Sequence, residues 1–418
     1  MLQKIPAGLE YNASFGPALK HQSLSKNSTL KQITLLLFII LFAANAGSQI
    51  VPQLSARVNT SHVDIKKVYH LYSAYLNSRP DSIYQNPNWN PEESVFYLNK
   101  SKMMRVDRSA NQMFRNVNAA EYLAYHQPKI LQIDSVGIGR YQIKTMFAAS
   151  CPEEEYSKFT PDCITKLYAV RDSYGDFKLE NTLGHDTKNW KTYQYEFITY
   201  LVHPSCRFSE SEARDAVKFC KDISKKFGLA VQPFKYYILP DADEMGQLYN
   251  FDYWLSYMGG QTNTQWREIF TTNGSLNYQH ELVHIVFPVP TDKFPACPLI
   301  VNEGIATWLA GPKLNLSFER ALKEVSATLR TKNDVSLEDI RSFRIRNDFD
   351  NNILYVTGAV ICKLVFEKHG KKGIWDLYNC TNETFNATLE KLFGTSYKNA
   401  EELILDYIIR FDGNLKRD

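Results

Sequence analysis

Apolar positions recur along this chain with two different periods, and the changes of period divide it. From Val63 to Leu76 the residues Ile65, Val68, Tyr72, Tyr75 and Leu76 follow the three- and four-residue steps of a helix, and the proline-rich stretch Asn86-Pro87-Asn88-Trp89-Asn90-Pro91 stops it. Three stretches of strand character come next: Lys129 to Ala148, where Gly137 and Gly139 suggest a bend or bulge; Cys163 to Leu179, turning at Tyr174-Gly175-Asp176; and Tyr193 to Val202. Helices ahead of a curled antiparallel sheet make this an α+β region.

Helical spacing returns at Ser209. Ser209 and Glu212 read as a capping box, and Ala213, Ala216, Val217, Cys220, Ile223 and Phe227 then mark one face of a helix that ends at Gly228. The strand Pro233 to Leu239 follows. Ser336-Leu-Glu-Asp339 can cap a further helix, an apolar helix runs from Leu354 to His369-Gly370, and closing helices reach about Phe411. The change of pattern places a domain boundary near Thr192, between an accessory domain over 47–192 and a second domain over 193–418.

Two helices in the second domain carry the candidate chemistry. In Asn277 to Phe287, the residues His280-Glu281-Leu282-Val283-His284 have the form H-E-x-x-H, whose four-residue step puts both imidazoles on one helix face, where they can hold one zinc ion. Glu281 lies one residue on, where a carboxylate suits a general base rather than a ligand. A hydrolytic zinc site usually takes a third protein ligand. With eighteen residues between it and His284, Glu303 interrupts the apolar run from Pro298 to Gly311-Pro312, and an acid there is costly to bury unless it is paired or metal-bound. Gly304 and Ala306 are small enough to let this helix lie close to the first. Of nine histidines, only His280 and His284 have ligand spacing.

The HELVH sequence, the eighteen-residue interval and Asn302-Glu303-Gly304-Ile305-Ala306 resemble the H-E-x-x-H-x18-E and N-E-G-x-A signature of the gluzincin metallopeptidases, the group containing aminopeptidase N and the peptidase MA-like proteins. The resemblance implies a zincin-type domain, a mixed sheet with a mainly helical lower half, and zinc held by His280, His284 and Glu303. It also implies Glu281 as base and proton shuttle in peptide hydrolysis. Tyr355, in Tyr355-Val356-Thr357-Gly358-Ala359, matches the family's Y-x-x-G-A context, where a phenol hydrogen-bonds the oxyanion of the tetrahedral intermediate. Upstream, Gly259-Gly260-Gln261-Thr262-Asn263 partly matches the G-x-M-E-N strand of the family's aminopeptidases. Thr262 stands where their glutamate grips the substrate's free amine, so an endopeptidase is expected rather than an aminopeptidase. The element order of the accessory domain resembles the cone-shaped folds of nuclear transport factor two-like proteins. Two other functions fit the same residues: a metal-containing binding or processing protein without peptidase activity, and a non-peptidase hydrolase using the same site.

Composition narrows the setting. The 418 residues suit two domains, and 44% apolar with 22% charged is ordinary globular usage. A formal charge of +3 from dispersed Lys and Arg lacks the concentrated basic face of a nucleic-acid binder, and the resemblance implies a peptide or protein substrate as the partner. The twelve-residue apolar run Ile33 to Ala44 follows Lys31 and leads to Ala44-Asn45-Ala46. It is too short to span a bilayer and reads as a signal peptide over 1–46 with a long n-region, cut after Ala46; an uncleaved signal anchor is the alternative. No cysteine follows the run for a lipid anchor, so the expected location is periplasmic or extracellular, with no membrane span after cleavage. Seven cysteines suit that compartment, and Cys151 with Cys163 and Cys206 with Cys220 are the short-loop pairs to test.

Overall fold

The computed structural model describes residues 49–411 apart from 101–102, 115–116, 150–162, 255–258, 288–296, 333 and 346–351. The expected signal peptide and Cys151 lie outside the described residues. In chain order the first part holds β1 (Gln53–Leu54), α1 (Val63–Leu76), α2 (Pro91–Lys100), α3 (Ala110–Met113), α4 (Ala119–Tyr125), β2 (His126–Gly137), β3 (Arg140–Ala149), β4 (Cys163–Arg171), β5 (Phe177–Glu180) and α5 (Thr182–Asp186). Strands β2 to β5 pair antiparallel in sequence order, and β1 adds to β2 in parallel. The stretch Lys129 to Ala148 is therefore a hairpin, with its turn between Gly137 and Arg140. The register also shifts between Ser135 and Gly137, so a bulge sits beside the turn.

The second part holds β6 (Lys191–Tyr195), β7 (Ile198–Val202), α6 (Glu210–Phe227), β8 (Phe234–Ile238), α7 (Ala242–Leu248), β9 (Phe251–Tyr253), β10 (Gly260–Asn263) and β11 (Glu268–Thr271). Helices α8 (Gln279–Val286), α9 (Leu299–Ala310), α10 (Phe318–Leu329), α11 (Leu337–Arg341), α12 (Asn352–Tyr378), α13 (Phe385–Phe393) and α14 (Tyr397–Ile409) complete it. The stretch Tyr193 to Val202 is the β6–β7 hairpin rather than one strand. Both strands join a second sheet of order β10-β11-β8-β7-β6, in which β11, β8 and β7 are parallel neighbours and the two edge strands run antiparallel. Four elements, α7 and β9 to β11, intervene between β8 and α8, and one of them, β10, falls in the Gly259–Asn263 stretch that the sequence marked. The architecture is a mixed α+β fold.

Strand alternation explains why this second sheet is buried on both faces. On β8, Phe234, Tyr236 and Ile238 pack with the helices, while Tyr237 and the following Leu239 pack with the first sheet; on β11, Ile269 and Phe270 divide in the same way. Contacts cross the boundary near Thr192. Strand β9 pairs with β4 of the first sheet. The buried guanidinium of Arg108 reaches Glu268 of β11 at 2.9 Å, surrounded by the rings of Tyr249, Trp266 and Phe270.

Helix α6 begins at Ser209, whose hydroxyl accepts the Glu212 N–H, but the capping box is only half made. The Glu212 carboxylate instead accepts the Leu276 N–H at 3.1 Å, in the loop that leads into α8. The box at Ser336 and Asp339 is complete. Helix α12 breaks at Gly370 as expected and then continues to Tyr378. No described helix is long and apolar enough to cross a membrane. The six described cysteines are free, so the Cys206–Cys220 pair is not formed. Cys220 lies on the core face of α6, roughly 16 Å along the axis from the helix cap, and burial pushes its thiol up to about 12.

Candidate metal centre

Helix α8 is pinned at both ends by groups from other elements. Its N-cap, Tyr278, makes no side-chain cap; the Tyr278 N–H donates instead to the Tyr236 hydroxyl at 3.0 Å. At the other end Arg267 Nη1 donates to the Ile285 carbonyl at 3.1 Å, and the Tyr378 hydroxyl donates to the Phe287 carbonyl at 2.9 Å. A cation at a helix C-terminus also meets the negative end of the helix dipole. Together these hold the helix that carries His280, Glu281 and His284.

The helix that carries Glu303 lies close on α12, because two glycines face each other where α9 crosses α12; Gly304 thus faces α12 rather than α8, where the sequence placed it. A Cβ on Gly304 would lie 2.4 Å from the Gly358 carbonyl carbon, and one on Gly358 would lie 1.9 Å from the Ile300 carbonyl oxygen. Only hydrogens fit at this crossing. Glu303 is next to the first glycine, and Tyr355 lies about one turn before the second, so one close contact sets the position of both.

The side chains of His280, His284 and Glu303 converge, with one donor atom from each lying within 4.8 Å of the others. Glu303 Oε2 is 3.2 Å from His280 Nε2 and 3.5 Å from His284 Nε2, and the two Nε2 atoms are 3.2 Å apart. His280 Nδ1 lies 2.8 Å from the Gly311 carbonyl. A carbonyl can only accept, so Nδ1 carries a proton there and Nε2 is the nitrogen that faces the cluster. Gly311 presents that carbonyl from φ +86°, and a Cβ there would strike the Leu316 oxygen at 2.0 Å. The Asn302 side chain lies close enough to His284 to favour its charged form.

The charges in the cluster favour a cation. Burial opposes charge on His284, but the Glu303 carboxylate outweighs it and, with Glu281 and Asn302, pushes the imidazole up to about 9. Burial would raise Glu303, yet the two imidazoles hold its carboxyl far below the usual carboxylate range. Two imidazole nitrogens and one carboxylate, with an outer hydrogen bond that orients His280, are a donor set suited to a divalent metal such as zinc.

Glu281 is not part of that three-residue cluster. Its Oε2 accepts a hydrogen bond from Thr262 Oγ1 at 2.7 Å. Thr262 is on β10, the edge strand beside α8, where the sequence placed a cleft-lining strand. Gly260, two residues earlier on that strand, makes the approach possible, since a Cβ there would lie 2.8 Å from both Glu281 Cγ and Tyr278 Cδ1. The Tyr355 ring is nearly parallel to His280, with centroids 5.8 Å apart. All five residues expected from the sequence therefore lie in one site. Asn302 lay within the quoted motif but had no assigned role, whereas Gly311, Arg267 and Tyr378 carried no local signal. No protein-family model and no curated protein matches the chain.

Proposed function

We propose that this protein is an exported zinc-dependent peptidase of the gluzincin type, with a zincin-like catalytic region. The observation that carries the reading is the convergence of His280, His284 and Glu303 beside a separate carboxylate, Glu281, held by its own hydrogen bond. A purely structural metal site has no use for that fourth group. Zinc bound there would supply Lewis acidity, polarising a carbonyl and making water acidic near neutral pH. Glu281 takes a proton from the attacking water as the new C–O bond forms, then gives it to the amine nitrogen as the C–N bond breaks. Tyr355 hydrogen-bonds the oxygen that becomes negative in between.

Two outcomes test this. Purified protein should contain one zinc per chain by elemental analysis, and His284→Ala should lose it; a full equivalent retained by the variant removes His284 from the ligand set. Peptide digestion should show internal cleavage. Thr262 has a neutral hydroxyl, already engaged with Glu281, where a carboxylate would be needed to grip an ammonium group. A free N-terminus should therefore give less than about a tenfold rate advantage over the N-acetylated peptide. Ordered release of single N-terminal residues would instead make the enzyme an aminopeptidase.

A further inference from the structure

We infer that Thr262 is a positioning residue that aims the Glu281 carboxylate, an assignment that rests on the hydrolytic reading of the site. On a strand, residues two apart face the same side, so Gly260 and Thr262 both face α8. Gly260 leaves space that Glu281 Cγ fills, and Thr262 Oγ1 takes Oε2 at 2.7 Å. The carboxylate is thus held at two points: the stem lies against a glycine, and one oxygen is tied to a hydroxyl. Oε1 remains to receive the proton of the attacking water and to return it to the leaving nitrogen, while Oε2 keeps the Thr262 bond throughout. Glu281 is buried, and a glutamate left to choose among its rotamers would spend only part of its time aimed at the reacting atoms. A misplacement of about 1 Å can cost on the order of 10²-fold in rate.

Thr262 Oγ1 also lies 3.0 Å from the Glu281 carbonyl, so the same hydroxyl could simply tie β10 to α8. The two roles give different results. In the zinc-loaded full chain, Thr262→Val keeps the side-chain volume and removes the hydroxyl, while Thr262→Ser keeps the hydroxyl. On an internally quenched peptide, Thr262→Val should lower kcat by about 10–100-fold with KM within about threefold, and Thr262→Ser should recover most of that rate. Zinc content and denaturation midpoint are measured beside it, because a mere tie between strand and helix would move those and leave the catalytic step in the folded fraction unchanged.

A binding cycle gives a readout without turnover. A peptidyl hydroxamate presents a proton to the Glu281 carboxylate, so Thr262→Val should weaken its binding by about tenfold. The same substitution made in Glu281→Ala should have no further effect, because no side chain is left to aim. Equal weakening in both backgrounds, or a kcat within threefold of wild type for Thr262→Val, overturns the assignment. If the unaltered protein binds the hydroxamate and cleaves no peptide, the peptidase reading fails while the cycle still reads the Thr262–Glu281 pair. If it binds no hydroxamate, both fail.

Discussion

Glu281→Gln is expected to lower peptide hydrolysis by on the order of 10²–10⁴-fold while the protein keeps its fold and one equivalent of zinc. Glutamine has the same shape, and its amide oxygen can still accept the Thr262 hydroxyl, so the packing between β10 and α8 survives. What is lost is the ability to take a proton. Metal content should not change, because Glu281 is not one of the three residues whose donor atoms converge where an ion could be held. Kinetics on a quenched peptide and elemental analysis of the same sample give the two halves of the answer. Activity close to that of the unaltered protein would place the base elsewhere, and loss of zinc would make Glu281 a ligand.

Gly358→Ala should be among the most damaging single-methyl changes in the described residues. The added carbon would sit 1.9 Å from the Ile300 carbonyl oxygen and 2.9 Å from Gly304 Cα, which are backbone atoms that cannot rotate away. Alanine favours a helix by up to about 1 kcal/mol over glycine, but overpacking a tight contact costs about 1–3 kcal/mol, and more when backbones must separate. The expected net loss is about 3 kcal/mol, read from the denaturant midpoint. Forcing α12 away from α9 also disturbs Glu303 and Tyr355, so zinc affinity should fall in whatever fraction remains folded. Gly184→Ala is the control. It also lies in a helix, α5, with no atom within 4 Å of the added carbon, and should be neutral or stabilising by up to about 1 kcal/mol. A Gly358→Ala protein as stable as this control would show that α9 and α12 can part at little cost.

The fold was legible where local chemistry marked it. The α6 face from Ala213 to Phe227 and its end at Gly228 follow from periodicity and a glycine stop. The β6–β7 hairpin was not visible because its turn uses Glu196 at φ +49°, with no glycine, proline or asparagine to mark it. At Gly137 and Gly139 the same residues suit a bulge or a turn, and pairing with β4 decided for a hairpin with a bulge beside it. The Glu212 carboxylate was expected at its own helix cap, yet it serves an N–H that is 64 residues away.

For the site, the sequence by itself determined the donor set. The step from His280 to His284 is fixed by helix geometry alone, and Glu303 betrays itself as the one acid in an apolar helix. Whether those groups meet was decided by tertiary structure, because the position of α9, and with it Glu303, depends on how closely its backbone can approach α12 at Gly304 and Gly358. The same holds for the groups that orient the donors. Gly311 reaches His280 across 31 residues, and Thr262 reaches Glu281 across 19. A carbonyl or a hydroxyl carries no mark of its partner in the chain. Its direction is set by how the edge strand and the turn after α9 pack against the metal helix.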